Sequence, residues 1–313
     1  MSTTTESPTR DPSQVGTRPP QRKPHTNRSL FRLLALVPFL LFGLVFAVYP
    51  LLQVARMAGS DVQIRSGRFE WEWTGLTNLR DVLADAASIQ ALTNTVVFVA
   101  ATVIGTLVLG FILALLVDRA VTLLPLARNV LIWPAVIAPV VVSLMWLLIL
   151  SPTAGGLNKF LRTIGLSEQG WLGDGPTAMA AVIVVDIWHW TPVVFLFLYT
   201  ALKGIDASVL EAARVDGARE PQVIRHIIVP SMSSAIGAVI LVRIIMGVKA
   251  FDEMYLMTRG GPNGATTLVS QHIKTLFFDN LDLGEAAAFS LFTVAITALV
   301  LALVLLVRKA VQR

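Results

Sequence analysis

The sequence has no cysteine among its 313 residues, which excludes disulfides and thiolate metal sites. Its four histidines, His25, His189, His226 and His272, are scattered and offer no metal-ligand spacing. No Gly-x-x-x-x-Gly-Lys-Ser/Thr run occurs, so the chain is not expected to bind ATP through a P-loop. Charge is also scarce. Asp, Glu, Lys and Arg make up 14% of the chain, where a soluble globular domain has about 25%. With 55% hydrophobic residues and a mean hydropathy of +0.70, too little polar side chain remains to cover a soluble surface. These values place the chain in the membrane class. A formal net charge of +5 would suit nucleic acid in a soluble protein. In a membrane protein the excess Lys and Arg belongs in cytoplasmic loops, and no nucleic-acid partner is expected.

What the chain does have is long apolar runs. A spanning helix needs roughly 20 apolar residues, and six stretches qualify, near 30–52, 92–117, 127–150, 178–202, 231–257 and 286–307. Residues 1–29 are rich in Ser, Thr, Pro, Arg and Lys, and are expected to form a disordered cytoplasmic tail. Residues 30–313 would form one transmembrane domain, all-α, set in membrane lipid. Lys and Arg in the short loops give its orientation. Fifteen lie in the N-terminal segment, the 118–128 turn, the 203–230 loop and the C-terminus, against eight in the segments 53–91, 151–177 and 258–285. Both termini and the 203–230 loop are therefore expected in the cytoplasm. Trp71 and Trp73, in the external 53–91 segment, read as interface anchors ahead of partner contacts.

The 203–230 loop carries the sharpest pattern. Ser208 and Glu211 have capping-box spacing, with Asp206 as an alternative cap. Gly217 follows where a left-handed residue ends a helix, and Pro221 suits the first turn of a second helix. Val223, Ile224, Ile227 and Ile228 form an apolar stripe at helical spacing. Two short amphipathic helices at a membrane surface make a knob for a soluble partner.

Glu211-Ala212-Ala213, then Asp216-Gly217-Ala218, then Pro230, resembles the EAA motif of permeases in ATP-binding-cassette importers. Asn94-Thr95, Gly155-Gly156-Leu157-Asn158, Phe251-Asp252, Thr258, Gly260-Gly261-Pro262 and Thr266-Thr267 resemble the carbohydrate branch of that family. The resemblance covers about residues 30 to 308. It departs from the maltose permease in lacking a large external domain inserted early. It implies a six-helix permease of the type I importer architecture in a bacterial cell membrane. It also implies a coupling helix at Glu211, Ala212, Ala213, Asp216 and Gly217 that docks on an ATPase, with Glu211 pairing a basic residue there. The implied partners are a second, related permease subunit, two ATP-binding-cassette subunits, an extracytoplasmic substrate-binding protein or lipoprotein, and a sugar. No cofactor is expected in this chain, since ATP and Mg would sit on the ATPases, and no enzyme activity is expected of it.

Ionisable residues inside a span default to function. Asp186, His189 and Trp190 share one face of the fourth span at i, i+3 and i+4. The fifth carries Arg243, Lys249, Asp252 and Glu253. Rises of about 1.5 Å per residue put Asp186 and Lys249 at similar height, which would allow a buried pair. For Arg243 and Glu253 a structural ion pair or a snorkelling side chain is the favoured reading. The resemblance brings the sugar-contacting positions close to Asp186, His189, Gly247 and Ala250, beside Trp190 and Lys249. Pro192 is expected to kink the fourth span. The substrate could be a disaccharide, a polyol or glycerol 3-phosphate. A membrane-embedded enzyme would need a nucleophile or metal cluster, and a channel a selectivity ring; the sequence shows neither.

Overall fold

The structure, a computed structural model, describes residues 28–65, 67–119 and 132–311. The expected tail lies outside these but for residues 28 and 29, as does 127–131 of the expected third span. In chain order come α1 (Leu36–Ala58, in a helix that begins at Arg28), β1 (Ser60–Arg65), β2 (Arg68–Trp73), α2 (Thr77–Ala84) and α3 (Ala86–Arg119). Then follow α4 (Pro139–Ile149), α5 (Gly156–Thr163), α6 (Gly175–Lys203), α7 (Ala207–Val215), α8 (Glu220–Ser231) and α9 (Ser233–Val248). The chain ends with α10 (Val269–Lys274) and α11 (Leu283–Val311). By compactness it divides after Leu52. The described part of the first unit is an apolar helix with one π-wound turn at Leu44–Val48.

The second unit is built on α3. Gly105 and Gly110 face α6 so closely that a Cβ would stand 2.3 Å from Ile187 and 2.8 Å from Val194. Small residues at such crossings let two membrane helices pack backbone to backbone. Phe98, Ala114, Val117, Val194, Phe195 and Leu198 fill the buried seam. Thr106 turns its hydroxyl back to the Thr102 carbonyl at 2.6 Å, so this hydroxyl is not left open inside the helix pair. The opposite faces remain apolar and exposed, as at Val294, Leu299 and Leu303 of α11. Such a surface suits lipid or a neighbouring membrane subunit, not water.

Four helices, α1, α3, α6 and α11, are long and apolar enough to cross a bilayer unbroken. The other two expected spans are interrupted. A short helix over 132–136 stops before Ala138, which is extended, because Pro139 disfavours helix in the residue ahead of it. α8 and α9 meet at a 68° bend at Met232. α9 itself ends at Val248, nine residues short of the expected 257. A separate π-wound turn, Met254–Thr258, follows the break. The Ser270 hydroxyl donates to the Ala250 carbonyl, which satisfies a group freed by that break. The 53–91 segment adds a feature not expected from sequence, the antiparallel hairpin of β1 and β2 pairing Ser60 with Trp73 and Arg65 with Arg68.

Candidate functional site

The loop between α6 and α9 is built by local capping. Asp206, not Ser208, is the N-cap of α7, accepting the Ser208 N–H at 2.9 Å. The Ser208 N–H and hydroxyl hold its carboxyl below the usual range. At the other end Gly217 has φ +80°. Gly217 N–H donates to Arg214 O at 3.1 Å and Ala218 N–H to Ala213 O at 3.0 Å. Both bonds together form a Schellman stop, with Ala213 and Ala218 as its apolar contact against the core. Pro221 then opens α8, and the Arg219 N–H donates to the Gln222 side chain at 2.7 Å. Val223 and Ile228 are buried under α8, with Ile224 and Ile227 packed beside them.

This scaffold leaves Glu211, Ala212, Asp216 and Gly217 exposed or nearly so and tucks Ala213 halfway in. Val215, one turn beyond Glu211, is 88% exposed. Val215 was not among the residues expected from sequence, although a β-branched apolar residue outside the stripe was its signal. An acid and an apolar side chain on one face of a short exposed helix suit a protein partner. Two ion pairs brace the loop to the end of α3, Lys203 to Asp118 and Arg119 to Glu220, each at 2.6 Å.

Inside the helix bundle a second group of polar residues converges. Asp186 of α6 is 2% exposed and pairs with Arg243 of α9, also 2% exposed. The pairing of Asp186 with Lys249 that the sequence allowed is not found. Lys249 is the exposed C-cap of α9. Six residues turn a helix by about 240° beyond a full circle, so Arg243 and Lys249 cannot face the same neighbour. His189 and Glu253 are buried alongside, 3.8 Å apart from Nδ1 to Oε1. His189 Nε2 lies 3.2 Å from the Ile137 carbonyl, at the break before α4. Trp190 is half-buried, with the Arg243 guanidinium 5.7 Å from its ring centre. Gly247 is buried against α3, where a Cβ would stand 3.0 Å from Val99, and Ala250 is half-buried. Pro192 lies within the unbroken α6. Among the described residues no three His, Asp or Glu side chains are arranged to hold a metal.

At the end of the bundle away from the 203–230 loop the scattered motif residues meet. Asn94 donates to the carbonyls of Gly264 and Thr267 at 2.9 and 3.0 Å, and Thr95 accepts the Val269 N–H at 2.9 Å. Thr258 and Thr266 share a hydroxyl contact of 2.7 Å. Asn158 ties Pro152, Gln169 and the Trp171 indole together.

Comparison with known proteins fits this arrangement. Residues 125–313 match the family described as binding-protein-dependent transport system inner membrane component. The chain is 32% identical over 268 residues to the probable ABC transporter permease protein YurN of Bacillus subtilis, covering 84% of this chain and 91% of that protein. It is 32% identical over 222 residues to the sn-glycerol-3-phosphate transport system permease protein UgpA of Brucella abortus, covering 71% and 75%. Among solved structures, a chain of a bacterial ABC transporter involved in import of the acidic polysaccharide alginate superposes with a TM-score of 0.79, covering 92% of this chain and 98% of that one. At 20% identity that likeness speaks for the fold. The chain therefore belongs to the binding-protein-dependent transport system inner membrane component family, as the permease component of an ABC importer whose ATPase is a separate subunit.

Proposed function

We propose that this chain is one permease half of an ATP-driven sugar importer, working by alternating access. It pairs with a second, related permease, two ATP-binding-cassette subunits and an extracytoplasmic binding protein. The observation that carries this reading is the exposed helix α7, stopped at Gly217 and presenting Glu211 and Val215. Closure of the ATPases on ATP would move that helix, and the braces to α3 and the stripe under α8 would carry the motion into the spans. Both termini and the 203–230 loop would face the cytoplasm. Asp186, His189, Trp190, Gly247, Lys249 and Ala250 would lie along the substrate path contributed by this half. Among them, the half-buried Trp190 supplies apolar ring surface for the C–H faces of a sugar.

A second reading keeps the machine and changes the cargo. The UgpA relatives favour glycerol 3-phosphate or a related polyol compound. The test is ATP hydrolysis by the complete complex with its binding protein, presented with maltose, trehalose, glycerol and sn-glycerol 3-phosphate in turn. Stimulation by a neutral sugar supports the first reading, and stimulation by sn-glycerol 3-phosphate alone supports the second. Failure of the chain to assemble with any ATPase would overturn both.

A further inference from the structure

α6 and α9 flank the loop proposed to receive the ATPase, so any cycle driven through that loop must move at least one of them. Their buried ionic link is Asp186–Arg243. Among the described residues, Arg243 is the one buried Arg or Lys, and Asp186 and Glu253 are the two buried carboxylates. Parting α6 from α9 would strand Arg243 in a low-dielectric interior. An uncompensated buried charge is costly enough that the cycle would stall there.

Glu253 stands ready to prevent this. It is 4% exposed, and the basic group facing it is His189 Nδ1 at 3.8 Å, beyond hydrogen-bond range. His189 Nε2 faces the Ile137 carbonyl, which can only accept, so Nε2 carries a proton and donates it. That leaves Nδ1 and Arg243 Nε and Nη1 buried without a hydrogen-bond partner among the described residues. Arg243 thus has unused donors, and Glu253 makes no ion pair with an Arg or Lys. Asp186 and His189 are three residues apart on α6, so their two contacts are about one helical turn apart, roughly 5 Å. A one-turn exchange of partners is an established kind of switching step between packed helices. Glu253 also sits on the far side of the break at 249–251 from Arg243, so it can approach α9 without carrying α6 along.

We infer that Arg243 is handed from Asp186 to Glu253 when α6 and α9 part during transport, which makes Arg243 and Glu253 positioning residues of the cycle. The inference rests on the alternating-access reading above. No bond is made or broken; one cation changes counter-ion.

The test uses the whole complex in proteoliposomes, with whichever of maltose, trehalose and sn-glycerol 3-phosphate stimulates the wild type most. Glu253→Gln should assemble and melt like the wild type, because Glu253 holds no cation in the state described. Its stimulated turnover should fall at least tenfold with the KM for the probe unchanged, and Glu253→Asp should recover a good part of it. Asp186→Asn should instead lower thermal stability. Wild-type turnover in Glu253→Gln overturns the handover. So does a Glu253→Gln complex that fails to assemble, since Glu253 would then already be holding this state together. A wild-type chain that assembles with no ATPase overturns the alternating-access reading, and with it the handover, and is told apart from the other two results because it needs no variant.

Discussion

Arg243 and Asp186 show how much one buried pair constrains. Removing one partner of a buried pair typically costs about 3–5 kcal/mol, while replacing both together can be near neutral. Asp186→Asn should therefore destabilise the complex by that order, and Asp186→Asn with Arg243→Met should recover most of it. Asp186→Asn with Lys249→Met should be additive, because Lys249 is exposed and elsewhere on the helix. Thermal unfolding of the single and double variants checks all three statements. The sequence pointed to a cation on α9 at the right depth but chose Lys249. Val239, Arg243 and Gly247, buried at four-residue intervals, define the face that α9 turns inward. Testing depth and face together selects Arg243. Gly217 is a second residue-scale case. Nothing lies within 4 Å of the Cβ it lacks, so only its φ of +80° resists substitution. Gly217→Val should cost about 1–2 kcal/mol in backbone strain and lower coupled uptake. Gly217→Asn, which tolerates left-handed backbone, should do less harm. Equal loss in both variants would mean that the turn geometry is not what the loop needs.

Elements were legible where local chemistry decides them. The Pro221 start of α8, the stripe beneath it and the Gly217 stop are all set within a few residues, and the structure shows them where the pattern puts them. The breaks at 137–138 and 249–251 were not legible from hydropathy, which averages over them. Pro139 was the available signal for the first. The second depends on Ser270, twenty residues away, taking up the Ala250 carbonyl, and no local pattern reports that. The hairpin was signalled by alternation in Arg68–Trp73, where Phe69, Trp71 and Trp73 share one face and Arg68, Glu70 and Glu72 the other. The end of the bundle away from the 203–230 loop also gives a pH prediction. His272 shares a hydrogen bond with the Ser88 hydroxyl at 2.9 Å, and Asp85 holds the same hydroxyl. Burial pushes the His272 pKa down, against a smaller upward pull from Asp85. The unfolded chain then binds this proton more readily than the folded one. Stability from this group is complete above the ordinary histidine value of about 6.5 and is lost as pH falls from there towards the folded pKa. Unfolding at pH 7.5 and 5.5 should show that loss, and it should shrink in His272→Gln. An unchanged pH dependence in the variant would remove His272 from the account.

At the scale of the whole molecule, four of the described helices are long and apolar enough to cross a bilayer unbroken, and α8 with α9 can make a fifth, bent span; α9 alone is about 24 Å long against a hydrocarbon core near 30 Å. The six crossings expected from the sequence, with fifteen basic residues against eight, would put both termini on the cytoplasmic side. The cysteine-free background permits a direct check. A cysteine at Phe160 should react with an impermeant reagent in intact cells, and one at Gln222 should not; the reverse pattern would invert the topology. The central claim is that α7 passes the ATPase motion to the spans, and Glu211→Lys addresses it most directly. The measurement is substrate uptake per ATP hydrolysed by the full complex in proteoliposomes, at matched expression. The account predicts that Glu211→Lys inserts normally but loses most of its uptake while the ATPases remain able to hydrolyse. Uptake at the wild-type ratio in that variant would contradict it.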